Sequence, residues 1–298
     1  MIIKREKNKL PLKINTGIVT NDIYINEALG LFPQQNELVK NLTDTVLEML
    51  NMDVENKQIM FSDNIIKGVN LTVKQYFDMA YNQMTNAEIL GIKDDILYIN
   101  LKISKYDRLS LSVNSLKHKI ASCLSHELNH GYVTLSKYYN SNVIEEIPDE
   151  YQKYLSIYND NSVLEEIRDL AYIYYSTYSF EIQAMIPQVY QELSGFFENS
   201  KEDITIDNFK KALKNTNTFW TFYTGLNHDI PNIEIFLKNE INLKKTISVF
   251  NSHGLKLNNN DLLKKIKKAK SIYESVLKDI CRCAIAYYYD NVEKNEDI

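Results

Sequence analysis

Eight glycines and five prolines are few for a chain of 298 residues. Forced turns and long irregular loops should be correspondingly rare, so most of the chain should be helical. Cysteine is scarcer still, at three residues. Cys281 and Cys283 are one residue apart on an expected helix, so their side chains point to different faces, and Cys123 has no cysteine near it in sequence. This excludes a disulfide framework and a cysteine-based zinc knuckle. No window approaches the roughly 18 consecutive apolar residues of a membrane span, and no secretory apolar stretch follows the charged start "MIIKREKNKLPLKINTG". The reading is a cytoplasmic chain without a membrane span. An excess of positive charge is also missing, since the net charge is −5. That leaves no electrostatic case for nucleic acid as a partner. The basic run "KKIKKAK" (264–270) reads as a solvated helix face.

What is present suits a soluble globular fold with a sizeable core: 44% hydrophobic and 24% charged residues. Apolar spacing at i, i+4 predicts helices over 35–51 and 71–84. Short strands are expected at "LKINTGIV", "DIYIN" and "KQIMFS", and the best strand is "DILYINLKIS" (95–104). A long helix follows over 113–139, with Leu116, Ile120, Leu124 and Leu128 as one apolar stripe. Gly131 inside it costs about 1 kcal/mol against alanine unless close packing needs it. Helices are then expected over 149–159, 162–178 and 180–194, where Pro187 kinks the last or shifts its start. Further helices lie at 205–215, in parts of 216–252, and from about 260 to 292. The fold class is α+β and predominantly helical, with a small mixed sheet. Residues 1–35 read as an N-terminal extension. A polar stretch near 200 ("FFENSKEDITID") divides a region of 36–200 from a helical C-terminal region of 201–298 packed on it.

Chemistry concentrates in "LSHELNHGYV" (124–133). With 5 histidines in the chain, chance supplies on the order of 0.01 H-E-x-x-H matches. On a helix His126 and His130 lie about 40° apart around the axis, one turn along it, and can reach one ion together. Glu127 projects about 100° from His126, too far round to share the ion and close enough to reach a water beside it. Two ligands and a nearby base are what metal-assisted hydrolysis needs. Leu124 and Leu128 lie on the opposite side, so the metal face and the apolar stripe are separate.

Catalytic zinc usually takes three protein ligands. A third ligand close in sequence would follow His130 as x-x-G-x-x-H, but those places hold Val133 and Ser136. The best candidate lies further on, in "YYSTYSFEIQAMIPQVYQEL" (174–193), where Glu181 begins the pattern E-x-x-A. Ala184 stands about one turn later on the same face and lets this helix approach the histidine helix closely. Glu165, Glu166, Asp169 and His228 are rival third ligands. His118 reads as a surface or capping histidine and His253 as a loop residue.

"SHELNHGY" followed about fifty residues later by "YYSTYSFEIQAMI" resembles the gluzincin branch of the zincin metallopeptidases. More narrowly, it resembles small bacterial and phage-encoded peptidases with an H-E-L-x-H-(A/G)-Y helix and a later E-x-x-A helix. The resemblance covers residues 85–195. It implies a zinc-dependent peptidase acting on a peptide or protein, with His126, His130 and Glu181 as ligands and Glu127 as general base. It also implies a zincin-like domain over 36–200, whose edge strand, here "DILYINLKIS", offers its backbone to an extended peptide. Thermolysin-like gluzincins carry an aspartate four residues after the ligand glutamate to orient a ligand histidine. This chain has Met185 there, so the groups behind the ligands must differ. Tyr174, Tyr175, Tyr178 and His228 are candidates for stabilising the oxyanion. The competing classes are a binding protein on the same scaffold with a structural metal, and a peptidase devoted to a single protein target.

Overall fold

Apolar and polar residues alternate along "ILYINLKIS", and that alternation builds the centre of a four-stranded sheet. The computed structural model describes residues 32–61, 66–76, 85–141 and 148–296. The sheet consists of β1 (Asn56–Met60), β2 (Gly68–Tyr76), β3 (Asn86–Lys93) and β4 (Ile96–Ser104), in the order β1-β2-β4-β3. β2 and β4 run parallel, while β1 and β3 flank them antiparallel. Leu97, Ile99, Leu101 and Ile103 of β4 and Val69, Leu71 and Val73 of β2 are buried on one face. Helices α1 (Phe32–Met52) and α3 (Val113–Ser141) cover that face, and the short α2 (Lys105–Ser110) joins β4 to α3. The other face is polar, with Asn100 and Lys102 of β4 bonded to Glu88 of β3.

Two expectations change here. Residues 71–76 belong to strand β2, not to a helix; the rest of that predicted helix, 77–84, lies outside the described residues. Val69, Leu71 and Val73 alternate with polar neighbours, and pairing on both sides makes that two-residue period decisive. The strand "DILYINLKIS" is also not an edge. It is paired with β2 on one side and β3 on the other. The edge on this side is β3, held by a hairpin whose two turn residues, Asp94 and Asp95, both have positive φ (54° and 63°). The strand candidates "LKINTGIV" and "DIYIN" lie outside the described residues, while "KQIMFS" corresponds to β1.

The remaining helices are α4 (Asp149–Asn159), α5 (Glu165–Ser176), α6 (Ser179–Ser200), α7 (Ile206–Lys214), α8 (Asn217–Thr224), a π turn (Gly225–Asp229), α9 (Ile230–Phe236), α10 (Glu240–Ser252) and α11 (Asn259–Glu296). They form a second hydrophobic core around Tyr154, Phe209, Phe222, Phe250 and Tyr273. Phe197 and Phe209, on either side of the polar stretch near residue 200, both belong to it. α6 continues through Pro187 without interruption. The missing N–H leaves the carbonyl of Gln183 without its helical partner, and Gln183 is exposed, where water can replace it. The lysines 264, 267, 268 and 270 are exposed on α11, as a solvated face requires.

The two cores meet where α6 packs on α3. The contact is close enough that a Cβ on Gly195 would sit 2.7 Å from the His118 ring. His118 is therefore a half-buried interface residue, near Glu198 at 3.5 Å, rather than a surface group. Gly131 answers the same need on the other side of α3, where a Cβ would come within 2.5 Å of Leu97 Cδ1. The helix accepts a poor helix former because the sheet lies directly beneath it.

Candidate metal centre

α3 begins at a capped turn, with the Ser115 N–H donating to Ser112 Oγ at 3.1 Å. Its stripe of Leu116, Ile120, Leu124 and Leu128 is buried against the sheet. That burial fixes the rotation of the helix and turns His126 and His130 towards α6. Their Nε2 atoms are 3.0 Å apart. Glu181, in the first turn of α6, places Oε2 3.6 Å from His126 Nε2 and Oε1 3.7 Å from His130 Nε2. Ala184, fully buried one turn later, permits the approach.

Glu181 is 2% exposed, and its Oε2 has no hydrogen-bond partner. A buried carboxylate oxygen without a partner is costly unless a cation completes it. Its surroundings keep it charged. Burial opposes ionisation, but the two imidazoles and the Tyr151 hydroxyl outweigh it and hold the pKa below the usual carboxylate range. The donors fit zinc by chemistry and by spacing. Two imidazoles and one carboxylate are a usual catalytic set, and a tetrahedral zinc with bonds near 2 Å spaces its donors about 3.3 Å apart. The two Nε2 atoms at 3.0 Å and Oε2 at 3.6 Å from His126 straddle that value, and one donor atom from each of the three residues lies within 4.8 Å of the others. Among the described residues, no fourth His, Cys, Asp or Glu joins the group.

Each imidazole feels this crowding differently. Burial disfavours charge on both rings. For His126 the carboxylates of Glu181 and Glu127 overcome it and raise the pKa. For His130, burial and the neighbouring His126 win and push it down to about 4. A neutral imidazole is the form that ligates a metal.

Glu127 stands beside the donor group and outside it. Its Oε2 accepts a hydrogen bond from the Ile89 N–H of β3 at 3.1 Å. Burial pushes its carboxyl up to about 7, against the pull of His126. A cleft of about 720 Å³ opens here, lined by Ile89, Ile92, Glu127, Leu155, Tyr178 and Phe180. One wall is the edge strand and the other is aromatic. Cys123 is close by but stays a neutral thiol, because burial pushes it up to about 12.

The expected residues His126, Glu127, His130 and Glu181 thus come together. The rivals do not. Glu165 and Glu166 are exposed at the start of α5, His228 is exposed in the π turn, and Asp169 faces a separate cavity of about 190 Å³ with Asp229. Among the tyrosines, Tyr174 bonds to the Leu262 carbonyl inside the helical core, while Tyr175 and Tyr178 reach the cleft.

Two residues of the site carry no sequence signal. Tyr151 of α4 donates to Glu181 Oε1 at 2.6 Å, beside Tyr175 at 3.0 Å. Gln188 of α6 lies beside the His126 ring and favours its charged form. Its amide nitrogen donates to Ser122 Oγ at 2.7 Å and to Glu192 Oε1 at 3.1 Å, which leaves its oxygen for the imidazole. Met185 has no polar atom with which to fill such a place. Glu192 in turn accepts from the Thr218 N–H at 3.1 Å and so ties the first turn of α8 to the network.

No protein-family model matches the chain, and comparisons with curated proteins and with solved structures give no match either.

Proposed function

We propose that this chain is a zinc-dependent metallopeptidase of the zincin kind. The observation that carries the reading is the unpartnered, buried Oε2 of Glu181 facing the paired histidines on the floor of a cleft. His126, His130 and Glu181 would hold the ion. Bound zinc supplies Lewis-acid activation of water and of a scissile carbonyl.

The chain's own residues supply the rest. Glu127 takes a proton from the attacking water and hands it to the leaving amine. The Ile89 N–H engages Oε2 and fixes the rotamer, leaving Oε1 for proton transfer. The outer edge of β3, where Glu127 already takes the Ile89 N–H, is placed to pair with an extended peptide, with Ile89 and Ile92 on one side and Tyr178 and Phe180 on the other. Gln188 holds His126 in the tautomer whose Nε2 lone pair faces the ion. A cleft at the base supports catalysis over a closed structural site, which would fill its fourth position with protein.

The test is peptide cleavage by the zinc-loaded chain and by Glu127→Gln, with zinc content measured on both. Retained zinc with cleavage lost supports the assignment. Cleavage unchanged in Glu127→Gln removes it, and zinc retained without any cleavage by the parent chain favours a binding protein.

A further inference from the structure

Three helices converge on one carboxylate oxygen. Glu181 Oε1 accepts from the hydroxyl of Tyr151, on α4, at 2.6 Å and from that of Tyr175, on α5, at 3.0 Å. The hydroxyls themselves are 2.9 Å apart, and each has one proton to give. Tyr151 is within donating distance of both Oε1 and the Tyr175 hydroxyl, and the contact to Oε1 is the shorter; with each proton given to Oε1, both of its lone pairs are occupied. Oε2 of the same carboxylate receives none. The two oxygens of Glu181 are thus unequal by construction.

The rings are held as firmly as the hydroxyls. Tyr151 stacks on Tyr175 with centroids 4.6 Å apart and 27° between planes, and the edge contact with Phe180 is 4.8 Å. Tyr175 stacks in turn on Tyr172 at 6.0 Å and 24°. Tyr151 is only 8% exposed, so its hydroxyl cannot trade Glu181 for bulk water without disturbing the stack.

We propose that Tyr151 and Tyr175 form a hydroxyl clamp that makes Glu181 a one-oxygen ligand, offering Oε2 alone to a divalent cation. A carboxylate free to turn can chelate through both oxygens and take a coordination position that water or substrate needs. With Oε1 saturated, the protein contributes three donor atoms and no more. Both tyrosines are positioning residues, acting through Glu181. The clamp rests on the metal-centre reading of His126, His130 and Glu181.

The experiment loads the full chain with Co²⁺ and measures two quantities in the parent and in Tyr151→Phe/Tyr175→Phe: affinity by competition with a chelator, and the visible absorption bands. Phenylalanine keeps both rings and removes both hydroxyls. The clamp predicts an affinity lower by about ten- to a hundredfold. It also predicts weaker bands in the double variant, as a second carboxylate oxygen raises the coordination number. Tyr151→Phe alone should lose more than Tyr175→Phe, since its contact is the shorter. If the double variant does not fold, the single variants carry the same comparison. Unchanged affinity and bands, with His126→Ala abolishing binding, overturn the clamp and leave the metal centre standing. A parent chain that binds neither Co²⁺ nor Zn²⁺ overturns both.

Discussion

Glu127 Oε2 accepts the backbone N–H of Ile89 at 3.1 Å, so the residue that follows the first histidine is tied to the edge strand of the sheet. One bond connects the helix that carries Glu127 to the strand that borders the cleft. Glu127→Gln keeps an oxygen that can accept this bond, so its stability should stay within about 0.5 kcal/mol of the parent. Loss of a general base should lower peptide cleavage by about 10²-fold or more. Thermal unfolding and turnover measured on one preparation check both halves.

Gln188→Ala should weaken zinc binding by about ten- to a hundredfold, the usual cost of removing a group that orients a ligand histidine. Its reach extends further than the ion, because Gln188 also bonds Ser122 on α3 and Glu192 on its own helix. Chelator competition reads the affinity. An unchanged value would show that His126 is oriented by helix packing alone.

Glu192 predicts a pH dependence. Burial pushes its carboxyl up from an ordinary 4.5 to about 7, although Thr218 and Gln188 donate to it. The folded chain therefore keeps this proton at pH values where the unfolded chain has released it. The stabilisation is fully present below about pH 4.5 and is lost as pH rises through about 7. Glu192→Gln should flatten this fall, by on the order of 2 kcal/mol across the window. Denaturant titrations of parent and variant at pH 5 and pH 8 measure the difference, and equal slopes would refute it.

Gly131→Ala should destabilise the chain, although alanine is the better helix former by about 1 kcal/mol. The new Cβ would meet Leu97 Cδ1 at 2.5 Å, and Leu97 is fully buried, with no room to turn away. A net loss of roughly 1–3 kcal/mol is expected from overpacking. Combining it with Leu97→Val should recover part of that loss, a non-additivity that identifies the contact.

The parts visible in the sequence are those governed by a period. Leu116, Ile120, Leu124 and Leu128 announced α3 and, with it, the side on which His126 and His130 stand. The alternation of Ile99, Asn100, Leu101, Lys102 and Ile103 announced β4. Glu181 was reachable because Ala184 marked a close helix contact. β3 was not legible: Leu90 sits at a bulge between Ile89 and Gly91, which breaks the two-residue period. The position of β4 inside the sheet was equally hidden, because pairing is decided by strands far along the chain. Residues 71–76 resemble a helix only when counted from Leu71; the two-residue period shows once Gly68 and Val69 are included. Tyr151 bears no fixed spacing to either motif, and in a chain with 21 tyrosines nothing local singles it out; Gln188 stands two turns after Glu181 on one face, but a glutamine there has no signature of its own.

If His126, His130 and Glu181 hold one zinc ion, elemental analysis of the purified chain and of Glu181→Ala, both equilibrated with zinc and freed of excess, should find one equivalent of zinc in the parent chain and little or none in the variant, with the helical content of both alike. No zinc in the parent, or equal zinc in the two, would contradict it.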